Sequence, residues 1–268
     1  MSDAAYISVR PGVSLAYLRQ AGGPGWEAGR TGFIWLGGFN SDMAGSKAES
    51  LAAHARETGR ACLRFDYSGH GRSQGRFEDG TISVWLDEAA KVFLDLSQGP
   101  TVVIGSSMGG YLGLLLLRRL AQVDRAAAAR IKGLLLIAPA ADMTENLLWA
   151  EAGEGPRALI MTQGAWLRPS AYGEPYPITR QLIEDGRRHL ILGEAIEVAC
   201  PAHIVHGDAD PDVPWQHGLK LYRALTGVDV RFTLVKGGDH RLSTPRDLAA
   251  ILAMAERLAL MSDAAGAP

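Results

Sequence analysis

Cysteine is nearly absent: Cys62 and Cys200 are the only two in 268 residues. That excludes a disulfide framework and a Cys-rich zinc site. A basic excess is also missing, with 27 Lys and Arg against 29 Asp and Glu and a net charge of −2. Binding dominated by phosphate contacts needs such an excess, so nucleic acid is excluded as the main partner. No long hydrophobic run occurs. The apolar stretch 112–117 stops at Arg118-Arg119, well short of the roughly 20 residues a membrane helix needs. No stable membrane insertion is expected. Residues 1–9 carry Asp3 but no Lys or Arg, unlike a signal or transit segment. A cytoplasmic location is the expectation.

What is present is 47% hydrophobic residues, enough for one sizeable core. Short apolar runs at 33–36, 61–65, 101–104, 133–138, 203–205 and 230–235 read as strands, several apolar throughout as in parallel strands covered on both faces. Helix-period stretches lie between them near 46–58, 82–97, 108–124, 214–226 and 245–260. Tyr6 to Arg10 and Ser14 to Leu18, separated by Pro11-Gly12, predict an antiparallel hairpin. The sum is an α/β protein with a mostly parallel, doubly wound sheet. Residues 1–139 and 201–268 form its core. The interval 140–200 shows no clear strand, four prolines, and Trp149, Trp166, Tyr172 and Tyr176. An interval this long inside a domain is usually functional, and it is read here as a mostly helical lid.

Two Gly-x-Ser-x-Gly patterns occur. The first, Gly105-Ser-Ser107-Met-Gly109, directly follows a buried strand and opens an apolar helix. It therefore places Ser107 on a tight strand-to-helix turn beside helix N–H groups. The second, Gly71-Arg-Ser73-Gln-Gly75, has no strand immediately before it. Ser107 is the nucleophile candidate. A serine hydroxyl needs a base. Of seven histidines, His240 alone falls in a flexible loop between the last strand and the last helix. Asp208, Asp210 and Asp212 compete to orient it; Asp210, central in its loop, is favoured. His206 is read as a hydrogen-bonded histidine rather than a ligand. No metal and no cofactor are required. Met108 N–H and Phe39 N–H, the latter in the loop Gly37-Gly38-Phe39-Asn40, are the expected oxyanion donors. Trp149 and Trp166 are expected to line an acyl pocket with Leu147, Leu148, Ile160 and Met161, and Arg157 or Arg168 to stand near its mouth.

These residues resemble the serine hydrolases of the α/β-hydrolase superfamily, and within it the acyl-protein thioesterase and acyl-glucuronide esterase branch. The likeness rests on Gly38-Phe-Asn-Ser-Asp-Met43, Ala61-Cys-Leu-Arg-Phe-Asp-Tyr-Ser-Gly69, Gly105-Ser-Ser-Met-Gly-Gly110, Val213-Pro-Trp215 and Asp239-His-Arg241. It runs from about residue 33 to 260 and takes in 166–172. Gly37 stands where the superfamily often has a histidine, a departure that bears on loop packing. The resemblance implies a Ser107–Asp210–His240 triad cleaving a small ester or thioester, or an acylated protein, through an acyl-enzyme. A C–C bond hydrolase or a perhydrolase would use the same triad, and a non-catalytic receptor the same scaffold.

Overall fold

The computed structural model describes residues 3–23, 29–169 and 174–266, so Tyr172 lies outside the described residues. The chain opens with β1 (Ala5–Arg10) and β2 (Val13–Gln20), the expected antiparallel hairpin. β3 (Gly32–Leu36), α1 (Ser46–Glu57), β4 (Cys62–Phe65), α2 (Ile82–Leu96), β5 (Thr101–Ser106), α3 (Met108–Val123), the short α4 (Arg125–Ala128) and β6 (Ile131–Ile137) follow. Then come α5 (Glu154–Gln163), β7 (Ala165–Arg168), β8 (Tyr176–Thr179), α6 (Arg180–Gly186) and β9 (Ile196–Glu197). The chain finishes with β10 (Ala202–Gly207), α7 (Trp215–Ala224), β11 (Leu225–Thr226), β12 (Val230–Val235) and α8 (Pro245–Ala265). The main sheet has the order β1-β2-β4-β3-β5-β6-β10-β12. Its β1–β2 and β2–β4 pairings are antiparallel and the rest parallel.

The period of two along each strand divides the apolar residues between the faces of the sheet. Ile34, Leu36, Val103, Leu134, Leu136 and Ile204 point into the larger cluster with α2 and α3. Phe33, Trp35, Val102, Ile104, Leu135 and Val205 point to the other face, where α1 and α8 cover them. Helix starts follow local chemistry. Thr81 Oγ1 accepts from Val84 N–H at the start of α2, and Thr244 and Asp247 form a reciprocal capping box ahead of Pro245 in α8.

The interval 140–200, expected to be mostly helical with no clear strand, also contains short strands. A π-helical turn (Thr144–Trp149), α5 and α6 are joined by an antiparallel ribbon of β7 and β8, and β9 pairs with β11. Each ribbon strand has four residues, too few to set up a legible alternation. Pro177 is tolerated in β8 because a two-stranded ribbon has only edge strands. Leu147, Leu148 and Ile160 are buried in the same cluster as the sheet residues. They pack the interval onto the sheet.

Candidate active site

Ser107 follows β5 at the centre of the sheet with φ +54° and ψ −117°. A side chain in that region costs on the order of 1–3 kcal/mol, which surrounding structure must offset. Here it does: Ser107 N–H donates to Ile137 O at 2.8 Å, and Ser107 O accepts from Gly110 and Ala140 N–H. The flanking glycines are steric requirements. A Cβ on Gly109 would run into the Leu36 carbonyl, and one on Gly105 into the Gly109 carbonyl. Helix α3 can therefore lie directly over β3 and β5, and Ser107 projects at the carboxyl edge where open α/β sheets bind ligands.

Asp210 lies in the loop after β10 and His240 in the loop after β12. His240 Nδ1 and Asp210 Oδ2 are 2.8 Å apart. Oδ1 of the same carboxylate accepts from Asp212 N–H and Val213 N–H at 2.9 and 2.8 Å. Burial opposes ionisation of Asp210, but hydrogen bonds from His206 and His240 outweigh it and hold the carboxyl far below the usual carboxylate range. His206, in β10, is fully buried, its Nε2 2.8 Å from Val213 O and 3.3 Å from Asp210 Oδ2. Gly218 of α7 leaves room for that ring. A glycine also ends β10: a Cβ on Gly207 would meet the carbonyl of Gly238, so the absent side chain lets the two loops close on each other.

Asp208 instead holds its own turn, receiving Lys236 Nζ at 2.8 Å. Lys47 Nζ donates to the Arg241 carbonyl, next to His240, and burial and Arg241 push its ammonium down to about 8. Among the described residues no hydrogen bond joins Ser107 Oγ to His240; such contacts are often loose before substrate binds. Asp210, Asp212 and His240 offer ligand atoms within 4.8 Å of one another. Both oxygens of Asp210 already accept hydrogen bonds, which leaves that carboxylate little to give a cation.

The turn after β3 backs onto the serine. A Cβ on Gly38 would lie 3.4 Å from Ser107 Cβ. Asn40 takes φ +54° and Ser41 Oγ donates to Gly38 O at 2.8 Å. Phe39 packs its ring edge-on against Phe77, Trp85 and Tyr176, with centroids 4.9, 5.7 and 5.5 Å away. Tyr176 belongs to β8, so one aromatic cluster joins this turn to the interval 140–200. Met108 is fully buried at the start of α3.

The guanidinium groups of Arg157 and Arg187 lie over the Trp149 ring, 5.3 and 5.1 Å from its centroid. Arg157 also donates to the carbonyls of Trp149 and Ala150. Trp166 sits in β7 opposite Ile178, and Arg168 faces Glu151 at 3.9 Å. Both tryptophans are half-buried against the core.

The second Gly-x-Ser-x-Gly proves to be a brace. Ser73 Oγ donates to Asp66 O at 2.6 Å and accepts from Ala16 N–H at 2.8 Å, tying β2 to the loop after β4. Ser73→Ala removes two hydrogen bonds and strands a donor, so a loss of about 1–2 kcal/mol is expected. A thermal melt should fall by a few degrees while kcat stays unchanged; a large fall in kcat would restore Ser73 as a nucleophile candidate.

Fold and site together define a class: residues 22–251 match the alpha/beta hydrolase family, and the chain belongs to it. Among individual relatives, the mitochondrial palmitoyl-protein thioesterase ABHD10 of Pongo abelii is 34% identical over 81% of this chain and 69% of its own length. The solved structure of mouse alpha/beta hydrolase domain-containing protein 10 is 30% identical, with TM-score 0.80 over 96% of this chain and 98% of that one. A protein of Agrobacterium vitis S4 is 41% identical, with TM-score 0.90 over 96% and 98% of the two chains. The matching curated relatives are mitochondrial by name. That overturns the cytoplasmic expectation, which rested only on a few N-terminal residues. Among the described residues no helix is long and apolar enough to cross a membrane.

Proposed function

We propose that the protein is a serine hydrolase that cleaves carboxylic esters or thioesters by acyl transfer. The observation that carries this reading is the Asp210–His240 pair at the carboxyl edge that also holds the strained Ser107 turn. In this reading His240 Nε2 takes the proton of Ser107 Oγ as the oxygen attacks the acyl carbonyl. Asp210 fixes the proton on Nδ1 and stabilises the imidazolium. The N–H groups of Met108 and Phe39 receive the oxyanion. His240 then protonates the leaving alkoxide or thiolate. Water repeats the sequence on the acyl-enzyme and releases the acid. The name of the curated relatives, palmitoyl-protein thioesterase, favours acyl thioesters, on small molecules or on proteins, as the substrate class.

The interval 140–200 serves as a lid in this proposal, with Trp149 and Trp166 against the acyl chain. Each methylene removed from water there contributes up to about 0.8 kcal/mol, roughly fourfold in kcat/KM per carbon. A p-nitrophenyl ester or acyl-thioester series from acetyl to palmitoyl tests this. The expected profile climbs and then levels off, and Trp166→Ala flattens the slope more than it lowers acetyl turnover. A flat wild-type profile would remove the acyl pocket and leave the triad standing. A fluorophosphonate probe should block hydrolysis by modifying Ser107; modification at another residue would overturn the reading as a whole.

A further inference from the structure

The oxyanion turn has a second support that the triad does not use. His70 lies in the loop after β4, between Gly69 and Gly71, and is 4% exposed. Its Nε2 stands 3.1 Å from Asn40 N, and its Nδ1 stands 3.1 Å from Ser68 O. A backbone N–H can only donate and a carbonyl can only accept. Nε2 must therefore be the unprotonated nitrogen, and Nδ1 must carry the only ring proton. The imidazole is fixed in one neutral tautomer by its two neighbours.

The surroundings enforce that state. Phe77, Trp85 and Tyr67 face the ring with centroids 5.1, 5.3 and 6.0 Å away. Burial among them pushes the imidazole down to about 4, only partly countered by the bond to Ser68 O. The same Phe77 and Trp85 pack against Phe39. The ring that accepts from Asn40 and the ring that follows the turn thus share one aromatic wall.

We infer that His70 is a positioning residue: by accepting the Asn40 N–H it locks the left-handed turn that aims the Phe39 N–H at the oxyanion. This rests on the proposed acyl-transfer reading. Asn40 occupies φ +54°, a region that asparagine enters more readily than other non-glycine residues but still at a cost, which a fixed partner for its N–H helps to offset. Its own N–H is the next peptide after that of Phe39. A bond that fixes one peptide plane constrains the orientation of its neighbour. Loss of the acceptor lets the turn relax toward negative φ, and the Phe39 N–H swings away from the position the oxyanion takes.

Two substitutions separate acceptor from shape. His70→Phe keeps a ring in the aromatic wall but has no acceptor. His70→Gln carries both a donor and an acceptor and can satisfy Ser68 O and Asn40 N–H together. Deleting an oxyanion donor outright costs about a hundred- to a thousandfold in kcat. A displaced donor is expected to cost about ten- to a hundredfold. For His70→Phe the expected result is that fall in kcat with KM within twofold. The Ki of an alkyl boronic acid, whose tetrahedral adduct with serine carries an oxyanion mimic, should rise in parallel. His70→Gln should stay within about threefold of wild type on both readouts, and it serves alone if His70→Phe fails to fold. Wild-type kcat in His70→Phe overturns the inference, as does a boronate Ki that does not move. So does a kcat in His70→Gln that drops more than tenfold. Ser107→Ala run alongside keeps the two readings apart: if it remains active the acyl-transfer reading fails, whereas an inactive Ser107→Ala beside an unaffected His70→Phe removes only the role of His70.

Discussion

Ser107→Ala should lower kcat by about four to six orders of magnitude and leave the fold intact. The size follows from the way a nucleophile, base and orienting acid act as a unit, so that removing the nucleophile forfeits nearly the whole covalent route. What remains is the contribution of the oxyanion donors and of substrate binding. KM should move little, because Ser107 forms its bond only as the tetrahedral species develops. Stability should hold or fall slightly, because alanine at the same position keeps φ +54° and the strain stays. Hydrolysis of an acyl thioester, followed by release of free thiol, gives the rate; far-UV circular dichroism confirms the fold. A variant within a hundredfold of wild type would show that the strained turn serves something other than attack.

Asp210→Asn is expected to cost about ten-thousandfold in kcat, and the hydrogen bonds explain why. Oδ1 of Asp210 accepts from two backbone N–H groups, so the amide of an asparagine would place its carbonyl there. Its NH2 would then face His240 Nδ1 and donate to it. His240 would carry its proton on Nε2, the atom that must be bare to receive the proton of Ser107. Asp212→Asn leaves this bond in place and should cost far less. The pH behaviour has a definite sign. The folded carboxyl is held below its unfolded value of about 3.9. Its contribution to stability is complete above that value and is lost only as pH falls through the depressed one. Wild-type stability should therefore fall in strong acid, and that dependence should be weaker in Asp210→Asn. Equal slopes below pH 4 in the two proteins would contradict the assignment.

The parts of the fold legible in the sequence were those with a repeating pattern long enough to read. β3, β5 and β6 are largely apolar runs between glycines and turns, β10 and β12 carry shorter or interrupted ones, and their ends shift by only a residue or two. Ser107 was legible by position, because one of two identical motifs follows such a run. Asp210 was separable from Asp208 and Asp212 by its place in the loop; its bond to His240 is what now distinguishes it. The β7–β8 ribbon was not legible, since four-residue strands around a proline carry no period. His206 was legible as a hydrogen-bonded histidine, but its approach to Asp210, four residues on, was not. His70 left a fainter mark still: a histidine between two glycines after a strand reads as an ordinary turn. Its importance is tertiary, depending on a turn 30 residues earlier.

The merging of the interval 140–200 into the main core has an energetic meaning for how a substrate enters. Ile160, Ile178, Leu182 and Ile183 belong to the same apolar cluster as Val103 and Leu134 of the sheet. Lifting the interval away as one body would expose all four, at about 1.5–3 kcal/mol each. The total, roughly 6–12 kcal/mol, is comparable with the whole stability of a typical domain of 5–15 kcal/mol. The interval and the sheet are thus one cooperative unit, and admission of an acyl chain has to come from small local openings. In the β7–β8 ribbon Ile178 is held in that cluster, whereas Leu167 is already 63% exposed, and the ribbon meets the turn after β3 through the contact of Tyr176 with Phe39.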